Sequence, residues 1–79
     1  MNTIPKIIEA YKKDKSFQEM TDKINEVPEI TITRPQINNW ALGIAKPNKY
    51  WLYYLAHRGT EWPSHMAFDM LKLIYPEML

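Results

Sequence analysis

The sequence predicts an all-α fold, a compact bundle of about five helices. Three observations predict it. Apolar residues recur at spacings of three and four along most of the chain. Helix-opening residues precede those runs, twice as a hydroxyl followed three positions later by Glu or Gln: Ser16 with Glu19, and Thr33 with Gln36. Only two glycines occur in 79 residues, too few for a turn-rich β fold. A chain of this length forms one domain, 1–79, with a limited core, so a partner subunit is expected.

The first helix is expected from about Ile4 to Asp14, with Thr3 as its cap and Pro5 in its first turn, where a missing N–H does no harm. Ile4, Ile7, Ile8 and Tyr11 form its apolar stripe. Lys12, Lys13 and Lys15 follow at its carboxyl end, where positive charge complements the helix dipole. Ser16 and Glu19 then open a second helix whose inner face is Phe17, Met20, Ile24 and Val27. Asp22, Lys23 and Glu26 point outward, and Pro28 ends it, since a residue before proline avoids helical angles. Glu29–Ile32 alternates and is β-branched, but no second strand is available to pair with it. It reads as an extended connection anchored by Ile30 and Ile32.

The third helix is the stretch the rest serves. Thr33 and Gln36 make its capping box and Pro35 lies in its first turn. Ile37, Trp40, Ala41 and Ile44 form its buried stripe, with Gly43 as the stop and Pro47 beyond it. Asn48 caps a fourth helix, Lys49 to His57, stopped near Gly59, whose Trp51, Leu52 and Leu55 are expected in the core. Thr60 is the expected cap of a fifth helix, about 61–75, whose start can slip toward Trp62 because Pro63 must lie in the first turn. Its polar stripe is narrow: Glu61, His65, Asp69 and Lys72. The apolar surplus suggests that a second copy covers it, with Trp62, Met66, Phe68, Met70 and Leu73 as the dimer interface.

The outward face of the third helix carries Arg34, Gln36, Asn38, Asn39 and Leu42, with no carboxylate. Those types suit base-pair edges in a major groove, where Arg makes two-point contacts to guanine and Asn or Gln to adenine. Adjacent asparagines are poor helix formers, so a role beyond propensity is expected for Asn38 and Asn39. The net charge is only +1, but between Glu29 and Glu61 there is no acid, while Arg34, Lys46, Lys49 and Arg58 lie there.

Other classes find less support. The absence of cysteine excludes disulfides, thiol nucleophiles and thiolate metal sites, and fits a cytoplasmic protein. No apolar run is long enough to span a membrane, and no signal-peptide pattern is present. No nucleophile elbow, phosphate-binding glycine loop or paired-carboxylate motif points to an enzyme. His57 and His65 lie on different helices, and His65 with Asp69 gives two ligands, short of a metal site. No cofactor or small-molecule ligand is implied.

Two capped helices with amides and arginine on the second make a helix-turn-helix pattern. Ser16-Phe17-Gln18-Glu19-Met20-Thr21 in one helix and Ile37-Asn38-Asn39-Trp40-Ala41-Leu42-Gly43 in the next, followed by Lys46-Pro47, resemble the Cro and phage-repressor-type helix-turn-helix family, the lambda-repressor-like DNA-binding domains. There the third helix commonly reads I-x-x-W-x-x-G before a basic residue and proline. The resemblance spans about residues 17–55, and the helix-turn-helix core would be about 16–44. Three features depart from the family: Thr21 replaces its small alanine, Asn25 its turn glycine, and Glu26–Ile32 lengthens the turn.

The resemblance implies a sequence-specific binder of double-stranded DNA, a transcriptional regulator acting as a homodimer in a bacterial or phage-infected cell. It assigns Thr33, Arg34, Gln36 and Asn39, with Asn38 as a further candidate, to base edges, and lets Pro35 touch a thymine methyl. It assigns phosphates to Lys46, Lys49, Gln18 and Tyr50, while Phe17 stands where the family has a phosphate-binding glutamine. Two alternatives remain. One is a protein-interaction module, such as an antitoxin or phage accessory protein. The other is an architectural or recombination factor that binds DNA without sequence preference.

Overall fold

Thr3 caps the first helix, its hydroxyl accepting a hydrogen bond from the Lys6 N–H at 3.3 Å. A computed structural model describes residues 3–79. Five helices follow: α1 (Ile4–Lys12), α2 (Phe17–Ile24), α3 (Arg34–Ala41), α4 (Lys49–Arg58) and α5 (Trp62–Ile74), then a 3-10 turn, Pro76–Met78. The described residues contain no strand, so the fold is all-α as the sequence predicts.

α4 and α5 form the most extensive helix pair; α1 lies across α3 and α5, and α2 packs on α3. Every helix contributes to one core: Ile4, Ile7 and Ile8; Met20 and Ile24; Ile37 and Trp40; Leu52, Leu55 and Ala56; Met66, Ala67, Met70 and Leu71. Val27, Ile30 and Ile32 of the connection join them, so the segment linking α2 to α3 is tied down by its side chains. The expected anchors Ile30 and Ile32 are both buried, as are Leu52 and Leu55, whereas Trp51 is half-buried.

Several boundaries and placements differ from expectation. α1 stops at Lys12 rather than Asp14, because Lys13 turns to a positive φ of 50°. The Lys15 ammonium donates to the Tyr11 carbonyl at 2.9 Å, satisfying one of the orphan acceptors of that last turn. α2 ends at Ile24, well before Pro28, because the Asn25 side chain pairs with the backbone of Ile32. Val27 still enters the core, from a turn closed by its N–H to the Ile24 carbonyl at 3.2 Å. Ile44, placed in the buried stripe of the third helix, is 71% exposed, since the helix has already ended.

At α5 the cap is Glu61, not Thr60. Pro63 must occupy the first turn, which moves the start to Trp62 and leaves Glu61 at a φ of 59°. Met66 and Met70 are fully buried in the core of the single chain. Neither has surface to offer a partner, so they drop out of the expected dimer interface. Part of the apolar surface of α5 is covered within one copy: α1 and α4 pack against it, and Ile74, Tyr75 and Met78 pack on the core beside it. The Tyr75 hydroxyl donates to the Pro47 carbonyl at 3.0 Å and holds the chain's end against the loop before α4.

Candidate nucleic-acid interface

α3 is fixed at both ends. At its start Gln36 Oε1 accepts from the Thr33 N–H at 2.8 Å and from the Thr33 hydroxyl at 3.3 Å. The expected capping box of Thr33 and Gln36 is therefore present, and the Gln36 NH2 keeps its donors for another partner. At its end the Gly43 N–H donates to the Trp40 carbonyl at 3.1 Å and the Ile44 N–H to the Asn39 carbonyl at 3.0 Å. This is a Schellman closure, and it requires the positive φ of 76° that Gly43 supplies. Buried Ile37 and Trp40 hold the inner side down.

The outer side presents the expected base-reading residues. Thr33, Arg34 and Gln36 are exposed; Asn38 and Asn39 are half-buried. They divide between two clefts flanking the helix. Arg34 and Asn38 share one with Phe17 and Pro35. Gln36 and Asn39 share the other with Trp40, Ala45, Lys46, Asn48 and Trp51. The side chains proposed to meet bases thus lie along the two flanks of the exposed face of one helix.

The expected phosphate group is less uniform. Lys46 is exposed and lines the second cleft. Lys49 is half-buried, its ammonium 5.5 Å from the ring centre of Tyr50, which is 57% exposed. Gln18 is not brought to either cleft, and its amide donates to Asp22 Oδ1 at 2.8 Å. That neighbouring carboxylate opposes a phosphate. Arg58 is likewise engaged, in an ion pair with Glu29. Among the described residues Arg34, Lys46 and Lys49 form no ion pair.

Two further residues line these clefts. Asn48 lines the second cleft while its Oδ1 accepts from the N–H groups of Tyr50 at 2.8 Å and Trp51 at 3.3 Å. Its capping role was legible; its place beside Asn39 depends on the path of the loop. Phe17, expected on the inner face of the second helix, walls the cleft beside Arg34.

The expected dimer residues that keep some surface are Trp62 and Phe68, both half-buried, and Leu73, 38% exposed. Between them on α5 the polar stripe is partly engaged. The Tyr11 hydroxyl donates to Asp69 Oδ2 at 2.5 Å. Burial first, then this carboxylate as acceptor and as nearby charge, pushes the Tyr11 hydroxyl up to about 12. No helix is long and apolar enough to cross a membrane among the described residues. Comparison of the chain with protein-family models, curated proteins and solved structures finds no match.

Proposed function

We propose that the protein reads double-stranded DNA in the major groove through α3 and regulates transcription from such sites. The observation that carries this is the disposition of Arg34, Gln36, Asn38 and Asn39 along the two flanks of the exposed face of a helix locked at both ends, with no ion pair engaging Arg34 among the described residues and with Lys46 beside Gln36 and Asn39. Guanidinium and amide groups there can make two-point contacts with guanine and adenine. Lys46 and Lys49 would hold the phosphates on one flank, with Tyr50. In this reading α2, its connection and α3 act as a helix-turn-helix with an extended turn. The chain acts as a homodimer whose two α3 helices enter successive major grooves, about 34 Å apart. A second copy would meet Trp62, Phe68 and Leu73, the expected interface residues that retain surface. Such a regulator works beside the DNA, in the cytoplasm of a bacterial or phage-infected cell.

Titrating a duplex into isotopically labelled protein tests the reading by NMR. Amide shifts concentrated on residues 33–39 and 46–50 are expected. Shifts confined to α5, or none, overturn it. A protein-interaction role is favoured by a different observation: Leu42 and Ile44, on either side of Gly43 after α3, are 63% and 71% exposed. Light scattering followed by capture from the native host distinguishes that role, which requires a partner other than a second copy.

A further inference from the structure

We propose that the cleft between the amino ends of α2 and α3 seats the C5-methyl group of a pyrimidine next to a guanine. The inference rests on the DNA reading above and names what part of that face recognises. The cleft is lined by Phe17, Arg34, Pro35 and Asn38. Two of these offer carbon surface and two offer hydrogen-bond donors. A face that is merely solvated has no use for the apolar half, and a phosphate seat would be built from donors alone.

The apolar half is held in place before any ligand arrives. Phe17 is half-buried and packs against the core, so its ring does not have to be ordered on binding. The Lys12 ammonium, 5.1 Å from the ring centre, further restrains it. Pro35 has a ring in place of a rotatable side chain. In the major groove the apolar group on offer is the methyl at pyrimidine C5, and its neighbours are hydrogen-bonding edges. Arg34, sharing the cleft, matches the two acceptors of guanine, while Asn38 supplies both a donor and an acceptor. A methylated pyrimidine beside guanine therefore meets both halves at once. Thymine and 5-methylcytosine carry the same methyl group, so the test separates them.

The probes are duplexes built on a sequence enriched from a random library, with each thymine in turn replaced by uracil and each cytosine by 5-methylcytosine. One position per half-site, beside a guanine, is expected to respond by about fourfold, the worth of one buried methyl group. Weakening on uracil replacement identifies thymine; tightening on cytosine methylation identifies 5-methylcytosine. In Pro35→Ala and Phe17→Leu the response should fall below about twofold, while Lys49→Ala leaves it intact. An enriched sequence that is indifferent to every methyl overturns the inference and leaves the DNA reading standing. So does a methyl response that neither cleft variant reduces. If no sequence is enriched, the DNA reading falls and this inference falls with it.

Discussion

Asn25 and Ile32 are joined by two hydrogen bonds of 2.8 Å: the Ile32 N–H donates to Asn25 Oδ1, and Asn25 Nδ2 donates to the Ile32 carbonyl. A single side chain thus pairs with the backbone of an extended residue as a strand partner would. Ile32 immediately precedes Thr33, the cap of α3. The carboxyl end of α2 is therefore tied directly to the start of the helix that carries Arg34, adding a polar clasp to a connection that Val27, Ile30 and Ile32 anchor in the core.

Asn25→Ala should cost about 1–3 kcal/mol in urea unfolding, because two part-buried backbone groups lose their partners. If α3 reads DNA, the same variant should also lose discrimination between preferred and random duplexes, since the helix is no longer aimed. Unchanged stability would show that the pair contributes nothing to the connection.

Arg34→Ala should weaken binding to a preferred duplex by about 1–3 kcal/mol and relax one base position, as for a lost two-point guanine contact. Lys49→Ala should weaken all duplexes alike and reduce the salt slope by about one. Anisotropy titrations on preferred and random duplexes check both. Identical behaviour of the two variants contradicts the division of roles.

Met70→Ala should destabilise the chain by about 2–5 kcal/mol through the cavity it leaves, by chemical denaturation. Leu73→Asp, on the outward side of the same helix, should leave monomer stability within about 0.5 kcal/mol. If α5 joins two copies, Leu73→Asp should also shift sedimentation toward the monomer. A dimer untouched by that change places the contact elsewhere.

Alkaline titration should show one of the five tyrosines ionising late, near 12, and Tyr11→Phe should remove that step. The sign follows from the direction of the shift. The folded hydroxyl ionises above the ordinary value of 10.0, so its contribution to stability is complete below pH 10 and is lost as pH rises through about 12. Asp69→Asn should bring the late step earlier, because it removes the nearby charge and weakens the acceptor. Absorbance of the tyrosinate follows both.

The helices were legible where apolar spacing and a cap agree. Ser16 with Glu19 and Asn48 with the first turn of α4 are local devices, and each is made by residues within three positions. What escaped depends on distant partners. The early end of α2 is set by Asn25 reaching seven residues ahead, which no local rule shows. Met66 and Met70 lie on a helix so apolar that its own sequence shows nothing to cover it. Its cover is α1 and α4, supplied only by the tertiary fold. On the candidate site the residue types and their helix were readable, since four fall within six positions. The two clefts were not, because Phe17 and Asn48 reach them from other segments.

Selection of binding sites from a random duplex library, at near-physiological salt, tests the central claim most directly. A sequence-reading dimer predicts an enriched palindrome with half-sites about 10 base pairs apart, centre to centre. Binding that enriches nothing and disappears as salt rises would contradict it, leaving phosphate attraction without base reading.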